Sequence, residues 1–262
     1  MSYDAYTYLP KVYTRMKIEN ENVEIRDLLP TPVKKDLPFP SADSQCDLIK
    51  SGVESMPKLA DFGFTPEEVT HAQSPKKAGY DFRGGEENGL RRLEDFLFVT
   101  KSLGTYGKTR NQLDGLNFAS KLSPWLSNGS LSVRKVYFDA YSFEEQYGHA
   151  DSVKSFVNEL FWRDFSTFWC LKNGNSVFFE YGVPNRDHYK WQTDLNTVRK
   201  WREGQTGMPL IDALMREMNE TGYMSNRGRQ IVASYLTLDL KQDWRFGAHY
   251  FEERLVDHDV TQ

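Results

Sequence analysis

Apolar residues recur every three or four positions in several segments after about Arg83, and short polar turns separate these segments. This spacing places the apolar side chains on one face of a helix. The segments with this pattern predict helices over residues 86–100, 151–171, 209–219 and 243–255. No clear alternation of apolar and polar residues, the pattern typical of β-strands, occurs after residue 80. We therefore expect an all-α domain over residues 83–262.

The first of these segments shows which side chains the pattern assigns to the core. Its apolar stripe consists of Leu90, Leu93, Phe96 and Leu97. Four charged residues lie outside the stripe and are expected to face solvent, namely Arg91, Arg92, Glu94 and Asp95.

Residues 1–82 differ, because several prolines interrupt them and no long helical pattern appears. Residues 23–26 alternate weakly and are interpreted as extended. Residues 36–46 have little apolar content and are interpreted as a loop. The segment TPEE at 65–68 has the spacing of a capping box with proline at the first helical position. We expect an irregular arm over 1–82 that contains one short helix at this segment.

A polar start precedes an apolar run at residues 221–240. Ser225 is positioned to cap a helix, and Gly222 to end the preceding one. Asn226 and Arg229 are three residues apart and share a helix face. An arginine beside a buried helix needs a carboxylate or phosphate partner, so the stretch predicts a site for an anionic, planar group. Taken alone, an amphipathic helix with a solvated basic first turn is the more frequent alternative.

Polar residues just before Pro124 form a second candidate site. Ser120, Lys121 and Ser123 offer two hydroxyls and an ammonium group, which suit a diphosphate. A helix cap with a surface lysine explains the same residues equally well. The glycine-rich segment at 83–89 lacks the Gly-Lys-Ser/Thr signature of a phosphate loop and is interpreted as a flexible helix entry.

Glu159, Trp162 and Arg163 share one face of the helix predicted over 151–171. Glu159 and Arg163 have the spacing of an ordinary helix ion pair, which is the more frequent interpretation. Trp162 between two charged groups also suits a nucleobase, which stacks on the ring and hydrogen-bonds at its polar edge.

Two acidic residues, Asp257 and Asp259, flank His258. No further ligand with suitable spacing accompanies them, so no metal site is predicted. A solvated acidic turn is one interpretation. An ion pair between Asp257 and Arg229 is the functional one.

Composition limits the classes of partner. The 262 residues carry a net charge of −4 with a pI of about 5.8, which excludes a generally basic nucleic-acid binder and requires a local patch for any such contact. Cys46 and Cys170 lie far apart, as is usual in a reducing compartment. No apolar run is long enough to span a bilayer, and the N-terminus shows no targeting signal. We expect no membrane partner.

The residues from Arg83 to the end resemble the flavin-binding helical domain of the DNA photolyase and cryptochrome family, and most closely that of DASH-type cryptochromes. Three segments carry the resemblance: TRN…SKLSPWL at 109–126, ELFWRDF at 159–165, and a nearly continuous match at 190–260 that includes GMPLIDALMREMNETGYMSNRGRQIVASYLTLDL. Gln230 is the DASH-like residue within SNRGRQ. LPKVYTRMK at 9–17 resembles the end of the linker that leads into this domain.

The resemblance implies FAD as the cofactor. It assigns FAD contacts to Tyr106, Ser120, Lys121, Leu122, Ser123, Arg163, Arg229, Asp257 and Asp259. The opening that receives a flipped pyrimidine dimer is assigned to Glu159, Trp162, Asn226 and Gln230, with Arg227 near a DNA phosphate. The outer and middle members of a tryptophan electron relay are assigned to Trp191 and Trp244.

The implied function is light-driven electron transfer to pyrimidine dimers in single-stranded or locally unpaired DNA, or blue-light reception. The family's N-terminal α/β domain has no counterpart here, so its antenna pigment is not expected. The chain also stops just after DHDV, before the family's asparagine beside flavin N5 and its innermost relay tryptophan. A truncated, non-catalytic relative that binds nucleic acid or another protein is the alternative.

Overall fold

A computed structural model of the chain describes residues 9–20, 22–33, 57–73, 80–113, 115–183 and 190–262. Within these ranges the regular structure is helical, and the strand-like pairing consists of one isolated bridge between Gln192 and Gln242. The prediction of an all-α fold is confirmed. The loop predicted at 36–46 lies outside the described residues.

The α-helices of the described residues have the following bounds: α1 Tyr13–Glu19, α2 Pro66–Gln73, α3 Glu86–Glu94, α4 Tyr106–Thr109, α5 Ser123–Ser127, α6 Val133–Tyr147, α7 Ala150–Asn173, α8 Leu195–Arg202, α9 Pro209–Thr221, α10 Asn226–Ser234 and α11 Trp244–Arg254. Two of them continue into a wide π turn, α3 through Asp95–Val99 and α10 through Tyr235–Asp239. Short 3₁₀ segments span Leu59–Phe62, Ser102–Thr105 and Gly174–Phe178. None of the described helices is both long and apolar enough to cross a membrane.

The chain divides into two compact units, one formed by Met1–Arg26 with Lys77–Gln262 and the other by Asp27–Lys76. The second unit contains α2. Its predicted capping box forms, because the backbone N–H of Thr65 donates to Glu68 at 2.8 Å and the N–H of Glu68 donates to the Thr65 hydroxyl at 3.3 Å. The first unit contains all of the candidate site.

The helix ends in the first unit follow the local sequence. Ser225 caps α10 by accepting a hydrogen bond from the N–H of Gly228 at 3.2 Å. Gly222 ends α9 with a φ of 72°, a left-handed conformation that glycine adopts without strain. Both caps are as predicted, and together they turn the chain sharply between α9 and α10.

The buried apolar side chains of the first unit form three clusters among its described residues. One joins α3, α6 and α7, and its largest buried side chains include Phe96, Trp125 and Phe143. A second joins α8 to α11 around Trp201 and Met215. The third is small and packs α1 against the aromatic residues of α7. The candidate site lies on the elements that these clusters hold together.

The burial predicted for α3 is wrong at two positions. Leu90 is 37% exposed, whereas Arg92 is 1% exposed. The reason is the close approach of Gly89 to Trp125, where an added Cβ would lie 3.0 Å from the indole. This contact turns the face that contains Gly89, Arg92 and Leu93 inward and leaves Leu90 outside.

Helix α1 was not predicted, and it packs on α7. The Tyr13 hydroxyl donates to Asn158 Oδ1 at 2.6 Å, and Lys17 Nζ donates to the same oxygen at 2.7 Å. Lys172 Nζ donates to the carbonyl of Leu9 at 2.8 Å. These bonds fix α1 beside the middle of α7, where Trp162 lies.

Candidate functional site

A cavity of about 310 Å³ opens between α4, α5, α7 and α10. Its size falls within the roughly 300–1,000 Å³ of small-molecule sites. Twelve of the residues predicted as site residues line it: Tyr106, Ser120, Lys121, Leu122, Ser123, Glu159, Trp162, Arg163, Asn226, Arg229, Asp257 and Asp259. Residues far apart in sequence therefore converge on one space.

The predicted ion pair between Arg229 and Asp257 is confirmed. Arg229 Nη2 donates to both carboxylate oxygens of Asp257, at 2.9 and 2.8 Å. The Asp257 side chain is 1% exposed and that of Arg229 25% exposed. Arg229 Nε also donates to the carbonyl of Met224 at 2.9 Å. The pair joins α10 to the segment after α11 and forms part of the cavity wall.

Ser123 extends this wall toward α5. Its hydroxyl donates to Asp257 Oδ2 at 2.6 Å. The preceding Lys121 adopts a φ of 54°, a left-handed conformation that is uncommon for a residue with a side chain. Hydroxyl, ammonium and guanidinium groups thus meet at one corner, which we term the anion corner and define as Ser120, Lys121, Ser123 and Arg229.

Tyr223 lies beside the anion corner and was not predicted as a site residue from the sequence. Lys121 Nζ lies 5.4 Å from the centre of its ring, and the Arg229 guanidinium carbon lies 5.3 Å from it. Burial, reinforced by the carboxylate of Asp257 and opposed by Arg229, raises the pKa of Tyr223 to about 12. Its available signal was its place two residues before the helix cap Ser225.

The ion pair expected between Glu159 and Arg163 does not form. Glu159 pairs instead with Arg110, a residue that follows α4. Arg163 Nη2 donates to the carbonyl of Leu126 at 3.4 Å, and Arg163 Nη1 lies 3.7 Å from Asp164. Helix α4 packs on α7 and brings Arg110 to Glu159, and this tertiary contact replaces the local one.

The Arg110–Glu159 pair borders the aromatic part of the cavity. Burial, with Glu159 close by, raises the pKa of the Tyr106 hydroxyl, which therefore stays protonated. Phe156 and Leu160 line the cavity beside these polar groups. The lining thus combines apolar and polar groups.

Trp162 lies at the edge of the cavity with 42% of its surface exposed. The ring of Tyr13 stacks on it, and Phe165 meets it edge to face at 5.8 Å. Asn226, the first residue of α10, lines the same cavity and is exposed. An aromatic ring and an amide therefore flank one opening.

Arg227 and Gln230 lie outside the lining residues. Arg227 donates to Gln230 Oε1 and to Asn111 Oδ1, both at 2.8 Å. These contacts hold the two side chains on the first part of α10, where they form a polar surface next to the cavity-lining residues Asn226 and Arg229.

Trp191 and Trp244 also lie outside the lining residues, but near each other. Both indole N–H groups donate to the carbonyl of Glu180, at 3.1 and 3.0 Å. The bridge between Gln192 and Gln242 joins the segments that carry them. The two tryptophans assigned to one relay are therefore held by a common acceptor.

Asp259 also lines the cavity, 153 residues after Tyr106. It accepts hydrogen bonds from the backbone N–H and hydroxyl of Thr261, at 2.9 and 2.7 Å. These bonds hold its carboxylate in a local turn. Over the described ranges, no group of three or more His, Cys, Asp or Glu residues is arranged to hold a metal ion.

Comparisons with known proteins show what this chain is similar to. The family described as the FAD binding domain of DNA photolyase matches residues 156–262. A chloroplastic/mitochondrial cryptochrome DASH of Ostreococcus tauri is 39% identical over 97% of this chain and 46% of its own length. The chain belongs to the DNA photolyase and cryptochrome family. It spans about half the length of the curated relatives it matches.

Solved structures of the family show the same fold. A cryptochrome of Synechocystis sp. PCC6803 has a TM-score of 0.83 and 37% identity over 99% of this chain and 50% of that one. An archaeal photolyase from Sulfolobus tokodaii, solved with two FAD molecules, has a TM-score of 0.65 and 29% identity over 97% of this chain and 49% of that one. The described residues thus form the helical FAD-binding domain of the family.

The residues of this chain fit FAD. The lining contains four basic and three acidic side chains, and two of the acids, Glu159 and Asp257, are already paired with arginines. Lys121 and Arg163 are two further cations of the lining, and together with the hydroxyls of the anion corner they suit a diphosphate. Apolar lining residues such as Leu122 and Phe156 suit the flat ring system.

Proposed function

We propose that this chain binds FAD in the cavity and supports light-driven electron transfer to pyrimidine dimers in single-stranded or locally unpaired DNA, or blue-light reception. The observation that supports this most is one cavity that joins the Arg229–Asp257 pair, the anion corner and the open ring of Trp162. When bound, FAD supplies the light absorption and the transferable electron.

The polar residues of the cavity hold the diphosphate and the polar edge of such a ligand. Lys121, Ser123 and Arg229 meet the diphosphate, and Asp257 fixes Arg229 so that its remaining donors keep one orientation. Tyr106 and Phe156 pack against the flat system and exclude water from it. Asp259, which lines the cavity, would accept a hydrogen bond from the edge of the ring system.

The DNA partner is recognised by stacking and by hydrogen bonds. The exposed face of Trp162 accepts an extruded base, and Glu159 and Asn226 meet its polar edge. A net charge of −4 disfavours non-specific attraction to duplex DNA. Extrusion costs least where a lesion or a single strand has already removed the pairing, which favours damaged single strands.

The first experiment measures FAD binding by the visible absorption and fluorescence of the purified chain. Lys121→Gln removes a cation of the anion corner and is expected to weaken FAD binding about tenfold. Lys101→Gln is the matched control, because Lys101 has the same left-handed backbone with a φ of 53° but does not line the cavity. Equal affinity in both variants, or no FAD binding by the unmodified chain, contradicts the proposed site.

The second experiment measures DNA affinity with single strands that carry a thymine dimer or lack it. Trp162→Ala is expected to abolish the preference for the damaged strand. Phe178→Ala, which removes another exposed aromatic ring, is expected to leave it unchanged. A preference that survives in Trp162→Ala removes this cavity as the lesion site.

A third experiment tests electron transfer. Blue illumination of the FAD-loaded chain with an external reductant is expected to bleach oxidised-flavin absorbance, more slowly in Trp244→Phe than in the unmodified chain. Trp169→Phe serves as the control, since Trp169 packs against α1. FAD binding without any photoreduction favours the non-catalytic alternative, a nucleic-acid-binding or protein-interaction module.

A further inference from the structure

Arg92 is the charged side chain that sequence periodicity placed in solvent and that the fold buries. Its side chain is 0% exposed. Its guanidinium donates to three backbone carbonyls of one loop, those of Ser120 at 2.8 Å, Leu116 at 3.3 Å and Ala119 at 3.4 Å. It also donates to Asn117 Oδ1 at 3.0 Å. Four contacts, with residues 116, 117, 119 and 120, thus tie α3 to the loop that leads into the anion corner.

A carboxylate and two aromatic rings also contact the buried guanidinium and offset the cost of removing its charge from water. Arg92 Nη1 donates to the Asp95 carboxylate at 2.6 Å, and the aromatic rings of Tyr80 and Phe96 lie 5.1 and 5.5 Å from the guanidinium carbon. A lysine has a single nitrogen and cannot reproduce the planar fork that reaches several carbonyls at once. The residue type is therefore specified by the loop it holds.

The direction of these hydrogen bonds determines which backbone groups face the other side of the loop. All described peptide bonds are trans, so each backbone N–H points away from the carbonyl before it. The carbonyls of Ala119 and Ser120 point at Arg92. The amides of Ser120 and Lys121 consequently point away from Arg92, and both residues line the cavity.

The left-handed backbone of Lys121 agrees with this arrangement. A φ of 54° costs free energy for a residue with a side chain and persists where surrounding contacts determine it. The carbonyl immediately before Lys121 is that of Ser120, which accepts the shortest of the three carbonyl bonds from Arg92. Successive amides turned to one side form a concave surface that attracts anions.

We propose that Arg92 is a positioning residue that holds the loop at 116–121 so that its amides and Lys121 meet the diphosphate of the bound cofactor. The inference rests on the proposed binding of FAD. Arg92 touches no ligand itself, and it acts through backbone carbonyls from the far side of the loop.

The experiment compares Arg92→Lys with Arg91→Gln in the full chain. Arg91 is the neighbouring residue, with a side chain 71% exposed, and is the matched control. Three ligands are titrated: FAD, ADP as a diphosphate without the flavin, and riboflavin as a flavin without phosphate. Arg92→Lys is expected to lower the affinities for FAD and ADP about tenfold or more and to leave that for riboflavin unchanged. Arg91→Gln is expected to change none of them.

A second readout follows the loop directly. Amide hydrogen exchange in the peptide that covers 116–121 is expected to accelerate in Arg92→Lys, with unchanged exchange in α9 and α10. Asn117→Ala removes one acceptor and keeps the cation, and it is expected to act in the same direction but more weakly. This variant keeps the test decisive if Arg92→Lys does not fold.

Each outcome decides a separate question. If the unmodified chain binds FAD and Arg92→Lys binds FAD and ADP equally well, the inference is overturned and the proposed function stands. An equal loss for FAD and riboflavin shows a general structural role and also overturns it. If the unmodified chain binds neither FAD nor ADP, the proposed function and the inference both fail.

Discussion

Tyr13 and Trp162 stack face to face, with ring centres 3.7 Å apart and planes at 11°. Tyr13 is 8% exposed and Trp162 42% exposed, so the tyrosine covers one face of an indole that remains open to solvent elsewhere. The hydrogen bond from the Tyr13 hydroxyl to Asn158 fixes the tyrosine ring. The arm before the helical domain therefore orients a residue of the candidate lesion site.

We predict that Tyr13→Leu weakens binding of dimer-containing single strands by about five- to tenfold, since an aromatic pair contributes about 0.5–1.5 kcal/mol beyond its burial. Tyr13→Phe keeps the stack and is expected to bind nearly as the unmodified chain does. The salt dependence of binding is expected to keep its slope in both, because the contacts to phosphate are unchanged. Fluorescence anisotropy over a series of salt concentrations measures both quantities.

An equal loss in Tyr13→Phe would show that the hydroxyl and not the stack matters. Unchanged affinity in Tyr13→Leu would separate the arm from DNA recognition.

The Arg229–Asp257 pair leads to a prediction about stability. Asp257→Ala leaves Arg229 and the Ser123 hydroxyl without their partner. We expect a loss of about 2–3 kcal/mol in the free energy of unfolding, below the roughly 3–5 kcal/mol of a wholly buried pair because Arg229 is partly exposed. Urea denaturation followed by circular dichroism measures it.

The control for this pair is Glu203→Gln, which breaks the exposed ion pair with Arg199 at 2.8 Å. Exposed pairs contribute about 0–1 kcal/mol, so this variant is expected to unfold nearly as the unmodified chain does. Similar losses in both variants would contradict the structural role of Asp257.

The hydrogen bonds that Asp212 accepts lead to a prediction of how the free energy of unfolding falls in acid. Burial opposes its ionisation, but hydrogen bonds from the N–H and hydroxyl of Thr206 and the N–H of Gly207 together lower its pKa below 3.8. The stabilisation is present above the pKa of the unfolded chain and is lost as pH falls through the lower pKa of the folded chain. Asp212→Asn is expected to cost about 1–3 kcal/mol at neutral pH, since an amide nitrogen then faces N–H donors. Thermal melts between pH 7 and acid pH are expected to converge for the two proteins, and parallel curves would be the contrary result.

For Tyr223 we predict the opposite pH dependence, a loss of stability as the pH rises. Its pKa of about 12 in the folded chain exceeds the ordinary value of 10, so stability from this residue is full below pH 10. As pH rises from about 10 to 12, the unfolded chain loses the phenolic proton first and the stabilisation declines. Tyr223→Phe is expected to unfold at higher pH than the unmodified chain in an alkaline titration. An earlier alkaline transition in the variant would contradict this.

The sequence predicted those parts of the site that depend on short-range pattern or on family motifs. Periodicity indicated α7, and the caps at Ser225 and Gly222 followed from residue type alone. The family resemblance indicated the partner of Arg229. These signals are local in the chain or repeated in relatives, and they do not need the tertiary fold.

The residues that were missed depend on distant partners. Arg92 is buried because a loop 24–28 residues later offers carbonyls to it. Glu159 pairs with Arg110, which is 49 residues earlier, and no spacing rule indicates such a partner. Helix α1 has seven residues, too few to show a helical period, and tertiary packing supplies the stability of a helix so short.

The cavity wall joins residues that are synthesised far apart in time. Ser123 meets Asp257, which follows it by 134 residues, and outside the lining Tyr13 meets Asn158, which follows it by 145. Contacts over such separations form late, because the intervening chain must be ordered first. The cluster of α3, α6 and α7 can pack while later helices are still being translated. The described cavity lining includes Asp257 and is therefore complete only after the cluster of α3, α6 and α7 has been synthesised.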